Sequence, residues 1–221
     1  MLTDALASRL SKLATPLVAD ALSRLGLAEV VVGPEIRPVV PFSRFVGISV
    51  TLKIRKRKED ETPDMPHYRQ AMSSGHKLIR PVLVIEVGPE LKGRGVFGSG
   101  AATFARTQSF VGAIIDGAIR DSHDLKEMGF PVYARGLSPL YVVPHARSES
   151  YNEPVRVGLA TVSPGDVVFA DHDGVLVLNP ATLEDVVTRA EQIGQWEHRV
   201  IGAFAQGKSV GQALAEGGPM P

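Results

Sequence analysis

The segment Gly112-Ala113-Ile114-Ile115-Asp116-Gly117-Ala118-Ile119-Arg120-Asp121-Ser122-His123-Asp124 concentrates the residues best suited to chemistry. A hydrophobic run that reads as a buried strand ends in an adjacent guanidinium and carboxylate, and a helix follows. In open α/β sheets, ligands collect at the carboxyl ends of strands. Adjacent Arg and Asp are poor core residues at such a point and are available to face a ligand. A structural reading stands beside this one: Asp121 caps a helix next to a surface Arg120, and Asp124 favours the helix dipole. Residue types alone leave both open. His123, with a reference pKa of about 6.5, could ligate or exchange a proton, but a partly exposed helical histidine is the plainer reading.

Gly93-Arg94-Gly95-Val96-Phe97-Gly98 fits the dinucleotide pattern G-x-G-x-x-G, with Asp116 near the expected place of a ribose-binding acid. The preceding strand ends near Val87, too early for a tight strand-to-helix turn, and the chain has only one such unit. The glycines have another use. Bare amides at a helix N-terminus seat a carboxylate. Asp171-His172-Asp173 has metal-ligand residue types, but consecutive strand residues point to opposite faces. Turn chemistry before Gly174 accounts for it better. Tyr68 and Trp196 read as packing groups.

Elements that could position these residues are visible in the pattern. Leu2, Leu6, Leu10 and Leu13 recur at helical spacing. Thr15-Pro16 looks like an N-cap and first helical position for a second helix that Gly26 ends. Phe45–Ile54 is a strand, with a basic run Lys53–Lys58 at its end that Glu59, Asp60 and Glu61 balance. Residues 59–80, with His67, Met72 and His76, are polar and weakly periodic, a helix and a loop. Then come strand Val82–Val87, helix Ser99–Ser109, strand Val111–Ile115, helix Ser122–Met128 and strand Pro131–Ala134. That alternation implies parallel strands with right-handed crossovers. Leu140–Val143, Val155–Val162, Val167–Ala170 and Val175–Leu178 read as further strands, and residues 181–205 as a final helix. The expected division is one α/β domain over residues 1–206 and a loose Gly-rich tail over 207–221.

The composition narrows the function classes. The chain has 221 residues, is 44% hydrophobic and 22% charged, and carries 24 basic against 24 acidic side chains. Zero formal net charge gives no bulk attraction for nucleic acid or an anionic membrane, and it favours self-association. Absence of cysteine excludes disulfides, thiolate nucleophiles and Cys-based zinc sites. It is compatible with the cytoplasm, and the N-terminus shows no signal-peptide pattern. No apolar stretch is long enough to span a bilayer as a helix.

Several segments together carry a family resemblance. Gly112–Gly136, with its run to Asp121 and Gly129-Phe130-Pro131-Val132-Tyr133-Ala134-Arg135-Gly136, resembles the RraA-like family. So do Pro164-Gly165-Asp166, Ala170-Asp171-His172-Asp173-Gly174-Val175, and the early helix Leu17–Gly26. The resemblance covers roughly residues 10–205. It implies a single α/β domain of the swivelling β/β/α type with a mixed central sheet, assembled as a homotrimer or homohexamer in the cytoplasm. The family includes metal-dependent 4-hydroxy-4-methyl-2-oxoglutarate aldolases that also decarboxylate oxaloacetate, and a non-catalytic regulator of ribonuclease activity. The aldolase pattern is an acid, twenty residues, Arg-Asp, two residues, and an acid. The regulator lacks the last acid, which this chain has as Asp124.

What the resemblance implies for function follows residue by residue. Asp121 would hold Mg²⁺ or Mn²⁺, and a small 2-oxo acid would chelate that ion. Arg120 would face the 2-oxo oxygen, while the backbone at Gly98, Ser99, Gly100 and Ala101 would seat the substrate carboxylate. Asp124 would orient water. A distal acid from a neighbouring subunit would be Glu197, or alternatively Glu191. The first acid of the pattern falls at position 99, where this chain has Ser99. A related metal enzyme with another hydroxy-acid or sugar-acid substrate, or a non-catalytic regulator, are the alternatives that this departure raises. Residues 59–80 also differ from the family pattern, and loops of that kind set substrate choice.

Overall fold

Leu6 and Leu10 share one buried face, with Leu2 buried just ahead of it. In the computed structural model, which describes residues 1–221, that face belongs to α1 (Asp4–Leu10), and α2 (Thr15–Arg24) follows. The expected cap at Thr15 is corrected: Ala14 is the N-cap and makes no side-chain cap bond. The reason is a remote acid. The Asp171 carboxylate accepts hydrogen bonds from the Thr15 amide and hydroxyl, each at 2.7 Å. Asp171 is buried and also accepts from the Asp173 amide at 3.0 Å. The turn reading of Asp171-His172-Asp173 therefore stands.

Twelve strands follow from the Val/Ile-rich runs between turns. They are β1 (Val30–Val31), β2 (Arg37–Pro38), β3 (Phe45–Lys56), β4 (Pro81–Val87), β5 (Gly95–Phe97), β6 (Gly112–Ile119), β7 (Val132–Leu137), β8 (Ala146–Tyr151), β9 (Val155–Val157), β10 (Ala160–Val162), β11 (Val167–Ala170) and β12 (Val175–Leu178). The helices between and after them are α3 (Pro66–Ser73), α4 (Ser99–Thr107), α5 (Ser122–Met128), α6 (Leu183–Ala205) and α7 (Val210–Gly217). The main sheet runs β1-β12-β11-β3-β4-β6-β7-β2, with β5 also paired to β6 and β8 to β3. Strands β3, β4, β6 and β7 are mutually parallel. β11, β12, β1, β2 and β8 join antiparallel. This is the mixed central sheet flanked by helices that the resemblance implies. No helix is long and apolar enough to cross a membrane.

Side chains of period two sort the core onto the two faces of the sheet. Leu83, Ile85, Ala113, Ile115, Val132 and Ala134 point to the layer that holds α3, α4 and α5. Val82, Val84, Ile114 and Tyr133 point to the opposite face, where the β9–β10 hairpin packs. Further along, Val167 and Phe169 of β11 pack against α1, α2 and α6. All eight residues of β6 are buried, as expected of a parallel strand covered on both faces. Buried apolar area of this extent supplies most of the driving force, at about 25 cal/mol per Å².

Four further expectations change. The run 155–162 is two strands rather than one, because Gly158 turns the chain at φ +57°. Leu140–Val143 is not a strand. Tyr141 makes a single bridge to Gly95 and a 3₁₀ turn follows at Val143–His145, since Pro139 and Pro144 each lack an amide for a ladder. β6 extends past Ile115 to Ile119, so Asp116 lies inside the strand. The segment from Gly207 is not loose: Ser209 and Gln212 form a capping box for α7, and Ala213 packs with Trp196, Val200 and Ala203 of α6.

Candidate active site

The site forms where β5 and β6 end side by side. Gly95 and Phe97 pair with Ala118 and Ile119, and the Arg120 amide donates to the Phe97 carbonyl at 2.9 Å. This register sets Gly98 and Ser99, at the start of α4, directly against Arg120 and Asp121. Asp121 is the N-cap of α5 with φ +55° and ψ +38°, and it makes no side-chain cap bond. The capping reading is thus half right: the position holds and the bond does not. A left-handed residue other than glycine costs about 1–2 kcal/mol. That conformation turns the carboxylate away from its own helix and toward α4. There Asp121 Oδ2 accepts from the Ser99 amide at 3.1 Å and from the Ser99 hydroxyl at 3.2 Å. Oδ1 makes no hydrogen bond within the chain.

Two of the three pattern glycines are there to make room. A Cβ at Gly98 would lie 2.5 Å from Asp121 Oδ2, and one at Gly95 would lie 3.0 Å from Arg120 Cβ. Gly93 faces open space. The motif spans β5 rather than a strand-to-helix turn, so its glycines serve the Arg120–Asp121 pair and not a pyrophosphate. Asp116, the would-be ribose acid, is buried inside β6 between Lys92 and Arg135, with Lys92 Nζ at 2.9 Å.

Arg120 spreads its guanidinium over the Tyr141 ring, 4.8 Å from the centroid. Its Nε lies 3.6 Å from Asp121 Oδ2, with side chains 38% and 33% exposed. A pair this open is worth only about 0–1 kcal/mol, so folding stability does not account for it. Beside the pair is a cleft of about 250 Å³. It is lined by Gly95–Gly98, Gly100 and Ala101, by Tyr141, Val142 and Val143, and by Met65 and Tyr68. The Ser99 amide is taken by Asp121, while those of Gly100 and Ala101 have no acceptor within the chain. Free amides at a helix start are an anion seat. A second depression on the other side of Arg120 and Asp121 is lined by Leu137, Ser138 and Pro139.

The structure therefore brings together Gly98, Ser99, Gly100, Ala101, Arg120 and Asp121. Asp124 sits on the exposed first turn of α5. His123 is 84% exposed and faces Glu127 at 3.4 Å. Glu197 lies on α6, which packs with α1 and α2 away from the cleft, and makes no bond within the chain. Glu191 is committed to Arg9, with contacts of 2.9 and 2.8 Å. Trp196 packs, as expected, and donates to the Gly218 carbonyl at 2.9 Å. Tyr68 does more than pack, because it lines the cleft together with Met65 and Tyr141. Sequence reasoning missed all three; only the departure of residues 59–80 from the family pattern hinted at the first two.

No group of three or more acidic or histidine side chains converges to hold a metal ion. Mg²⁺ usually takes one or two carboxylates and completes its shell with water and substrate oxygens. A single outward carboxylate with one free oxygen, Asp121 Oδ1, fits that sparse mode and does not fit a closed all-protein cage.

A glycine-lined Arg–Asp pair at the carboxyl end of a central parallel strand, beside a small cleft, defines an α/β protein with a candidate ligand site. The chain belongs to the RraA-like family, whose model, described as Aldolase/RraA, matches residues 15–177. A Burkholderia mallei protein provisionally named 4-hydroxy-4-methyl-2-oxoglutarate aldolase is 30% identical over 154 residues, covering 70% of this chain and 87% of that one. Protein DlpA of Legionella pneumophila is 25% identical over 197 residues, 89% of this chain. The chain spans only 31% of that protein, and 57% of an uncharacterized Methanocaldococcus jannaschii relative. Among solved structures, an uncharacterized Pseudomonas syringae protein superposes with a TM-score of 0.79 at 25% identity, covering 96% of this chain and 98% of that one. Streptomyces coelicolor RraAS2 shares the fold at a TM-score of 0.78 and 22% identity, covering 94% of this chain and 98% of that one.

Proposed function

We propose that the protein is a divalent-metal-dependent lyase that cleaves a carbon–carbon bond in a small 2-oxo acid, in the manner named for the 4-hydroxy-4-methyl-2-oxoglutarate aldolases, with oxaloacetate decarboxylation as a side activity. The observation that carries this reading is the pairing of Arg120 and Asp121 at the mouth of the cleft, held in place by Ser99 and by the missing side chains of Gly95 and Gly98. Asp121 would hold Mg²⁺ or Mn²⁺ through Oδ1, and the ion would supply Lewis-acid polarisation of the 2-oxo group. The chain's own groups do the rest. The Gly100 and Ala101 amides bind the substrate carboxylate. Arg120 offers fixed positive charge where an enolate oxygen develops, the kind of preorganised electrostatics that dominates such steps. The Tyr141 ring holds that guanidinium in one orientation. Asp124, one turn into α5, orients water. Ser99 stands where the aldolase pattern has an acid, so no carboxylate at that position takes the substrate proton, and water is the proton acceptor.

The homotrimer or homohexamer and the cytoplasmic setting belong to the same proposal, with Glu197 reaching a neighbouring subunit's cleft. A non-catalytic regulatory role is the second reading, and Ser99 is the observation that favours it. Mn²⁺ titration followed by electron paramagnetic resonance separates the two. With the lyase reading, Mn²⁺ binds, oxalate (a planar mimic of the enolate) tightens it, and Asp121→Ala abolishes binding. Unaltered Mn²⁺ binding in Asp121→Ala, or no binding by the wild type, would overturn it.

A further inference from the structure

The lining of the cleft constrains the far end of the substrate. Arg120 and Asp121 are the only charged groups that this chain's own lining supplies. Arg120 and Asp121 are neighbours in the chain, and Arg120 is held by Tyr141 and by its proximity to Asp121. The rest of the lining includes Val96, Val142, Val143, Met65 and Tyr68 and has no cation. The Gly100 and Ala101 amides provide a seat for one carboxylate. A second carboxylate placed against these residues would lose its water with nothing to pair it, which apolar surroundings strongly disfavour.

From this lining we infer that the site takes a 4-hydroxy-2-oxo acid with a single carboxylate and an uncharged alkyl or aryl group at C4, in preference to a dicarboxylate. The inference rests on the lyase reading and names its substrate class. The reaction is balanced without a co-reactant. The C4 hydroxyl proton passes to water, the C3–C4 bond breaks, and its electron pair moves into the 2-oxo group. C4 becomes an aldehyde or ketone, and C3 takes a proton from water to give pyruvate.

Two features make α3 the element that sets this preference. The His67 amide donates to Ser148 Oγ at 3.0 Å, and its ring Nδ1 lies 3.1 Å from the Ser148 carbonyl, which fixes α3 on β8. That anchoring holds Met65 and Tyr68 over the cleft. The Tyr68 hydroxyl makes no hydrogen bond within the chain, and burial pushes its pKa well up, so the phenol stays neutral. It can meet an apolar tail with its ring or a neutral oxygen with its hydroxyl. The cleft, at about 250 Å³, lies below the roughly 300–1,000 Å³ of drug-sized sites, so the tail is short.

Binding and turnover are tested separately. Calorimetry with Mn²⁺-loaded protein compares two uncleavable 2-oxo acids, 4-methyl-2-oxopentanoate and 2-oxoglutarate. Expected is at least tenfold tighter binding of the apolar-tailed acid, reversed in Met65→Lys, which supplies a cation to the apolar part of the lining. Pyruvate release should follow the same order, with 4-hydroxy-2-oxopentanoate preferred over 4-hydroxy-4-methyl-2-oxoglutarate by at least tenfold in kcat/KM. Equal or tighter binding of 2-oxoglutarate by the wild type overturns the inference and leaves the lyase reading standing if pyruvate is still released. Binding of neither acid to Mn²⁺-loaded protein overturns both.

Discussion

Gly98 adopts φ −158° and ψ −169°, extended backbone that alanine accepts, so Gly98→Ala changes nothing but the space beside it. The new Cβ would lie 2.5 Å from Asp121 Oδ2 and 3.0 Å from Arg120 Cγ. Ordinary contact begins at 3.4 Å, so the carboxylate must retreat by about 0.9 Å (3.4 − 2.5), out of its bonds to Ser99. A displacement of about 1 Å at a positioned group costs on the order of 10²-fold in rate. Asp121 is exposed and can rotate into solvent, so the stability cost stays at the low end of overpacking, about 1 kcal/mol or some 2–4 °C in a chain of this size. The assay is kcat/KM for pyruvate release, run beside a thermal melt. Gly93→Ala is the control, because nothing lies within 4 Å of its Cβ. A Gly98→Ala protein within threefold of wild type, or an equal loss in Gly93→Ala, would refute the steric argument.

Other substitutions probe the supports. Ser99→Ala removes one of two hydrogen bonds to the Asp121 carboxylate and leaves the amide, so kcat/KM should fall by no more than about tenfold, the lower end for a bond to a charged group; a loss as large as that of Asp121→Ala would assign Ser99 a direct catalytic role instead. Asp171→Asn weakens three bonds at the buried α2 cap. It should cost about 2–3 kcal/mol and lower Tm by roughly 5–10 °C, and an unchanged melt would show that the cap is dispensable. Hydrogen bonds from Arg55 hold the Glu61 carboxyl down at about 2, against an ordinary value of 4.5. A folded-state pKa below the unfolded one stabilises above the unfolded value and is lost as pH falls. The Tm difference between wild type and Glu61→Gln should therefore be full above about pH 4.5 and vanish toward pH 2. It should also shrink in high salt, because the pair is partly exposed. A difference that persists at pH 2 would contradict that assignment.

The parallel core was legible because its signal is local. Val82–Ile85 and Val111–Ile115 are unbroken runs without a polar side chain, and a strand buried on both faces needs no more. Asp173-Gly174 marked the β11–β12 hairpin for the same reason. β8 was not legible: Ala-Arg-Ser-Glu-Ser-Tyr has no apolar alternation, and only its pairing with β3 makes it a strand. Leu140–Val143 failed in the opposite direction, since Tyr141, Val142 and Val143 line the cleft and its flanking prolines break the ladder. At the site, Arg120 and Asp121 could be picked out by type and place. Met65 and Tyr68 could not, because nothing in a polar, weakly periodic segment says that α3 folds back over the start of α4. The positive φ of Asp121, which aims its carboxylate at Ser99, depends on both strand ends at once and has no trace in the sequence.

The central claim is that Asp121 and a divalent cation together cleave a 2-oxo acid in this cleft. The most direct measurement is pyruvate release from 4-hydroxy-2-oxopentanoate, 4-hydroxy-4-methyl-2-oxoglutarate and oxaloacetate, with Mg²⁺ or Mn²⁺, with chelator, and with the Asp121→Ala protein. The expected result is release from at least one substrate that stops with chelator and is absent in Asp121→Ala. Release from none above the rate with free metal, or release that survives both chelator and Asp121→Ala, would contradict the claim.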